Sequence, residues 1–340
     1  DPPPQQIDLV ERQLMAKLRA LLFGMLSGAA LLAPAAALAA GPPPRALTFA
    51  SVNGAPLLLD LYLPESRAGG AAPAPFGLII WVHGGAWRAG SRASVDLLGM
   101  TARGWAVASV DYRLSPVARF PAQVHDIKAA IRFLRAHAAE YGYPPSRFVV
   151  AGSSAGGHLA ALVGVSNHQR ELEGGVGSDS ATSSDVQAVV SLYGASNLAS
   201  ILGQSSPHGL SVRVPALELL LGGQPEAVPE LARLASPVFH VDATDPPLLL
   251  LHGDQDNQMP IQQSQELEAA YQKLRLAVEF GVVRGAGHGG PAFTNPDTLE
   301  RIDRFLRRQF GQRVSALSGS PEPAGGVAKK APAPPARDAH

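Results

Sequence analysis

The chain reads as an α/β protein: one mainly parallel sheet, an antiparallel hairpin at its N-terminal start, and helices on both faces. Three observations predict this. Between Ala46 and Gly311, short apolar runs alternate with segments whose apolar residues recur at helical spacing, the pattern of strands buried on both faces beneath covering helices. Asn53-Gly54 separates two β-compatible runs, a strong short-range hairpin signal. The chain has 340 residues and is 46% hydrophobic, enough to bury a sizeable core.

The hairpin strands are Leu47–Ala50 and Pro56–Tyr62. Parallel strands are then expected at Gly77–Val82, Trp105–Val110, Arg147–Val150, Val186–Leu192, Pro247–Leu251 and Val278–Val283, each a near-continuous apolar run. The spacing of Val124, Ile127, Ile131 and Leu134 predicts a helix over Pro121–Tyr141, with Pro121 suited to its first turn. Residues 195–245 break the rhythm. They mix Gly, Ser and Pro with helical patches at Pro215–Leu221 and Pro229–Leu234, and read as a small cap-like insertion or a crossover carrying an extra helix. No repeat of solenoid period is evident.

The two ends fall outside this fold. Residues 1–14 precede Met15 and read as an upstream extension. Residues 15–39 carry a basic start (Lys17, Arg19), an apolar stretch and the small-residue site Ala37-Leu38-Ala39, the layout of a signal peptide. An uncleaved membrane anchor is the rival reading, since Ala20–Ala40 is nearly long enough to span. Cleavage would leave no stable membrane insertion and an exported protein, periplasmic or extracellular in a bacterium. Residues 315–340 are rich in Pro, Ala and Gly and read as a disordered tail. The 28 basic side chains equal the 28 acidic ones, with no block of either, which points away from nucleic acid. With no cysteine, disulfides, a thiolate nucleophile and zinc–thiolate sites are excluded. Oligomeric state leaves no sequence signal.

The chemistry centres on Gly152-Ser153-Ser154-Ala155-Gly156, which follows the apolar run Phe148–Ala151 and opens a helix-compatible segment. A serine exposed on such a strand-to-helix turn is a candidate nucleophile, and the pattern puts Ser154, not its neighbour Ser153, at the centre. A serine hydroxyl needs a base to take its proton, a group to orient that base and donors for the oxyanion. Gly84 and Gly85 in His83-Gly84-Gly85-Ala86-Trp87 offer accessible N–H groups, joined by the N–H of Ala155. His83 is expected to fix that loop by hydrogen bonding. His288, in a glycine-rich loop after the last strand, is the candidate base. Asp254 and Asp256 both follow the strand ending near Leu251. Asp254 suits a turn role and Asp256 lies further into the loop, and the glycine and glutamate spacing of a calcium loop is missing. Trp87 is a candidate substrate contact or a packing residue.

Over about residues 46–311 the chain resembles the esterase branch of the α/β-hydrolases, near hormone-sensitive-lipase-like carboxylesterases and bacterial acetylxylan or feruloyl esterases. The resemblance rests on His83–Trp87, Asp111-Tyr112-Arg113-Leu114-Ser115-Pro116, Phe120-Pro121-Ala122, Gly152–Leu159 and His252-Gly253-Asp254-Gln255-Asp256. It implies a catalytic order Ser154, Asp256, His288, which favours Asp256 over Asp254, and a structural role for Asp111 and Tyr112 beside the oxyanion loop. It implies a serine ester hydrolase that works through an acyl-enzyme without metal or organic cofactor, on small-molecule or polymeric esters. Where many relatives have three glycines, this chain has two followed by Ala86 and Trp87, which is also similar to kynurenine formamidases. A formamidase or amidase therefore stays open, as does a catalytically silent binding protein of the same fold. Relatives often build part of the cap from N-terminal helices. Here that region is read as a signal segment, so the cap should be small and the site open to short acyl groups or bulky sugar and polymer esters.

Overall fold

Strand residues that alternate in sequence separate onto the two faces of one sheet. The computed structural model describes residues 43–64, 74–167 and 169–317, with side chains to Gly311. The strands are β1 (Arg45–Val52), β2 (Ala55–Tyr62), β3 (Leu78–Val82), β4 (Ala106–Val110), β5 (Phe148–Ser153), β6 (Ala188–Leu192), β7 (Leu248–Gly253) and β8 (Val278–Val283). Their order is β1-β2-β4-β3-β5-β6-β7-β8. Strand β2 runs antiparallel to β1 and β4, and the other neighbours are parallel. Asn53 and Gly54 turn the first hairpin with φ of 50° and 81°, the left-handed pair that matches strand twist.

Leu78, Ile80 and Val82 face one apolar layer, while Ile79 and Trp81 face the other. All five residues of β3 are buried, and each large apolar side chain so buried contributes about 1.5 to 3 kcal/mol. The first layer is covered by α1 (Ala122–Ala136), α3 (Ala155–Gly164) and α8 (Gln262–Lys273). The second is covered mainly by α9 (Pro296–Leu317), through Leu299, Ile302, Phe305, Leu306 and Phe310, together with a 3-10 turn at Leu98–Arg103. Short helices α2 (Ala138–Tyr141) and α4 (Arg170–Glu173) lie in connections. Because β3 and β5 to β8 are parallel, their C-terminal ends share one edge, where ligand sites of open α/β sheets assemble.

The segment over 195–245 contains α5 (Ile201–Gln204), α6 (Pro207–Leu221), α7 (Pro229–Leu234) and a 3-10 turn at Pro237–Phe239. Its start and the C-terminal end of α6 rest against the body of the fold. The Ser196 and Asn197 N–H groups donate to Gln263 Oε1 on α8 at 2.9 and 2.8 Å, and Phe120 N–H donates to the Leu220 carbonyl at 2.9 Å.

Several expectations are corrected. The helix expected over Pro121–Tyr141 is two helices: His137, at φ −99° and ψ 10°, leaves helical geometry and closes α1 with its ring bonded to the Phe133 carbonyl, and Gly142 at φ 80° ends α2. Residues 315–317, expected to open the tail, are the last turn of α9; the chain meets no helix breaker between Gln312 and Gly319. The 3-10 turn at Leu98–Arg103 was not expected. The extension 1–14, the signal segment 15–39 and the tail beyond Leu317 lie outside the described residues. Among the described residues no helix is long and apolar enough to cross a membrane.

Asp245, at the end of the insertion, is raised to about 7, because burial disfavours its charge more than the Asp242 N–H stabilises it. A folded-state value above the unfolded one means that folding stability is full below about pH 4 and declines as pH rises through about 7. Asp245→Asn is therefore expected to remove a decline on the order of 2 to 4 kcal/mol across that window. Urea unfolding of both proteins at several pH values measures it; parallel curves would refute the assignment.

Candidate active site

The turn between β5 and α3 is built by close backbone approach. A Cβ on Gly152 would lie 2.3 Å from the Gly156 carbonyl oxygen, and one on Gly156 only 2.0 Å from that of Val82, so both positions exclude any larger residue. Between them Ser154 adopts φ 55° and ψ −118°, a strained backbone for a side-chain-bearing residue. Its N–H is fixed to the Leu192 carbonyl at 2.9 Å. The outcome is a half-buried Ser154 at the head of α3.

Ser154 Oγ–H donates to His288 Nε2 at 2.8 Å, and His288 Nδ1–H donates to Asp256 Oδ2 at 2.7 Å. The carboxylate can only accept, so the proton sits on Nδ1 and leaves Nε2 free to accept from the serine. The His288 side chain keeps 15% exposure, whereas that of Asp256 has none. Burial opposes the Asp256 charge, but hydrogen bonds from His252, His288 and the Met259 N–H outweigh it and hold the carboxyl well below the usual carboxylate range. Oδ1 accepts from the Gln258 and Met259 N–H groups at 2.9 and 2.7 Å. Asp254 is exposed and accepts from the Gly285 N–H at 2.7 Å, tying the two loops together. Ser153 is buried.

Gly84 lies against this serine: a Cβ there would be 3.0 Å from the Ser153 carbonyl oxygen and 3.4 Å from Ser154 Cβ. Gly85 has φ 114°, and a Cβ on it would strike the Ala89 carbonyl at 2.1 Å. Among the described residues the N–H groups of Gly84, Gly85 and Ala155 donate to no backbone carbonyl. The loop is held from behind. His83 donates through Nδ1 to the Gly84 carbonyl at 2.7 Å and stacks on Tyr112 at 4.4 Å, whose hydroxyl donates to the His83 carbonyl. Burial lowers the affinity of His83 for a second proton. Asp111 accepts from the Arg92 N–H and guanidinium, fastening the next turn of the loop.

Trp87 corrects an expectation. Its side chain is 1% exposed and its Nε1–H donates to His158 Nδ1 at 3.0 Å, so the indole packs inside the fold and has no face left for a substrate. His158 in turn donates through Nε2 to the Ala235 carbonyl at 2.6 Å, and burial lowers it to about 4, keeping it neutral. This relay joins the glycine loop, α3 and the insertion.

Two further residues at the site were given no role by the sequence. His252 is fully buried; it donates through Nε2 to the Met259 carbonyl at 3.0 Å, accepts from Ser264 Oγ at 2.8 Å and stands 3.4 Å from Asp256 Oδ2. Tyr193 packs its ring edge-on against His288 at 4.9 Å. A polar residue closing the all-apolar run Leu248–Leu251 was the signal for His252; Tyr193, directly after β6, offered a weaker one. Among the described residues no group of His, Cys, Asp and Glu converges in a way that could hold a metal ion.

Comparison with known proteins places the chain among esterases. The BD-FAE family pattern covers residues 59–271. The chain belongs to the BD-FAE family of α/β-hydrolase-fold esterases. Within the wider esterase group it is 36% identical to esterase LipC of Mycobacterium tuberculosis over 76% of its own length, and it spans only 65% of LipC. A truncated carbohydrate esterase from gut microbiota superposes with a TM-score of 0.70 at 32% identity, covering 80% of this chain and 98% of that one. The propionate-bound esterase Est2 of the planctomycete Thermogutta terrifontis gives 0.63 at 28% identity, over 78% of this chain and 94% of the other.

As a BD-FAE member in which Trp87 packs inward, the protein should respond to Trp87→Phe in stability. Loss of the donor leaves His158 Nδ1 buried and unpaired, an expected cost of about 1 to 3 kcal/mol. KM for aromatic and aliphatic esters should change little. A selective rise in KM for aromatic esters, with stability unaltered, would restore Trp87 as a substrate contact.

Proposed function

We propose that the protein is a serine carboxylic-ester hydrolase in which Ser154 is the nucleophile, His288 the general base and Asp256 the group that orients it. The observation that carries this reading is the continuous hydrogen-bonded chain from Ser154 Oγ through both nitrogens of His288 to Asp256, at 2.8 and 2.7 Å. His288 takes the hydroxyl proton through Nε2 as Ser154 attacks the ester carbonyl, and the Asp256 charge stabilises the resulting imidazolium. The N–H groups of Gly84, Gly85 and Ala155 receive the oxyanion; each such donor contributes roughly 3 to 4 kcal/mol where measured in other enzymes. The alcohol leaves with the proton from His288. Water, activated by the same imidazole, then releases the acid from the acyl-enzyme. None of these steps calls on a cofactor.

Short-chain acyl esters, or esters carried on carbohydrate or polymer, are the proposed substrate class. Supporting this are the half-buried, reachable Ser154, the similarity to a carbohydrate esterase, and the short acid propionate bound by the related Est2.

Ser154→Ala is expected to lower turnover on the order of a million-fold and to abolish labelling by a fluorophosphonate probe. Near-normal hydrolysis by the folded variant would sink the assignment. A panel of p-nitrophenyl esters of increasing chain length, acetylated xylan, methyl ferulate, polyester film and N-formylkynurenine should show preference for the short, sugar-linked or polymeric esters. Preference for the formamide would replace the ester reading with a formamidase. The proposal also includes export in a bacterium, directed by residues 15–39. The N-terminal sequence of the protein recovered from periplasm or medium should begin near Ala40; a chain retained in the cytosol with those residues intact would refute export.

A further inference from the structure

Arg213 lies within α6 of the insertion and is 2% exposed, yet it meets no carboxylate oxygen directly among the described residues. Its Nη2 donates to the Gln258 carbonyl and approaches Met259 Sδ at 3.3 Å, while its Nε has no partner among the described residues. Gln258 and Met259 are the residues whose N–H groups hold Asp256 Oδ1. The first turn of α6 and its N-cap touch this loop twice more. Ser206 Oγ–H donates to the Asn257 carbonyl, and Gly209 sits so close that a Cβ would lie 3.0 Å from the Gln258 carbonyl oxygen.

A buried guanidinium normally sits against an anion, because an uncompensated interior charge is strongly disfavoured. Here the charge acting on it is that of Asp256. Burial pulls the guanidinium down to about 10, and the Asp256 charge works against that, so it stays cationic at neutral pH.

We propose that Arg213 is a positioning residue for the triad: it fastens the Gln258–Met259 turn that presents Asp256 to His288, and its charge moderates the carboxylate's field on the imidazole. This rests on the Ser154–His288–Asp256 reading above and assigns the insertion a part in the chemistry. The titratable and charged groups facing the Asp256–His288 pair are His252 from β7, Tyr193 after β6 and Arg213 from α6, with Asp96 acting on Tyr193 from the loop after β3, while Asp254 of the same loop turns to the Gly285 N–H. Arg213 supplies the permanent positive charge among them. Its removal strengthens the carboxylate's field on the imidazole, favouring the protonated, inactive ring.

The test compares Arg213→Met with Arg213→Lys in the full chain. For the methionine variant, kcat with a short p-nitrophenyl ester should fall roughly tenfold through loss of positioning. The acidic limb of its kcat/KM profile should move to higher pH by roughly half a unit or more. The lysine variant, which keeps the charge, should leave that limb in place. The His288 imidazole titration, followed by NMR with His288→Gln to assign the signal, should move the same way and needs no turnover. Should the methionine variant not fold, Arg213→Gln, which keeps a donor for the Gln258 carbonyl, carries the same expectation for the limb. A folded neutral variant whose profile and titration match the parent would overturn the proposal, as would a lysine variant that shifts as far as the neutral one. Failure of the underlying reading is distinct, since it shows as retained turnover in Ser154→Ala.

Discussion

The geometry at the C-terminal edge of the sheet depends on one close approach, that of the β5–α3 turn to the end of β3. Gly152 and Gly156 let the turn sit against the Val82 carbonyl at distances that no Cβ would allow. The same contact brings Gly84, two residues beyond Val82, alongside Ser154. A serine at φ 55° carries strain of about 1 to 3 kcal/mol, which persists only where the surroundings over-determine it. The buried β3, β5 and β6, with the Leu192 carbonyl receiving the Ser154 N–H, supply that constraint.

A second constraint is the buried charge of Asp256. Removing a carboxylate from water is unfavourable by several kcal/mol unless its lone pairs are satisfied. Here Oδ1 accepts two backbone N–H groups, while Oδ2 accepts from His288 and has His252 beside it. That demand for partners organises the loop over 254–259, and Asp254 ties it to Gly285 of the His288 loop. Tyr193 packs edge-on against the imidazole and is itself backed by Phe293.

The insertion is integrated with this machinery, not merely placed over it. Through Ala235 and His158 it supports Trp87 in the glycine loop, and through Ser206, Gly209 and Arg213 it grips the acid loop. Ser154 nevertheless stays half-buried beside these contacts.

The sequence by itself determined the layered α/β architecture, because strands buried on both faces must be apolar throughout and their covering helices must be amphipathic. It also determined the turn chemistry, since Asn53-Gly54 and the glycines around Ser154 occupy positions where a side chain carries a steric penalty. It singled out Ser154, His288 and the pair Asp254 and Asp256 as candidates, because the serine, the histidine and the carboxylates each follow an apolar strand; the resemblance favours Asp256. What only the tertiary structure decided were contacts between residues far apart in the chain. The inward turn of Trp87 depends on His158, 71 positions away. The parts of His252 and Tyr193 arise because packing sets polar side chains beside a buried carboxylate and its histidine, and that of Arg213 because it meets the turn holding that carboxylate. Local pattern encodes which face a residue takes; it does not encode which distant polar atom waits there.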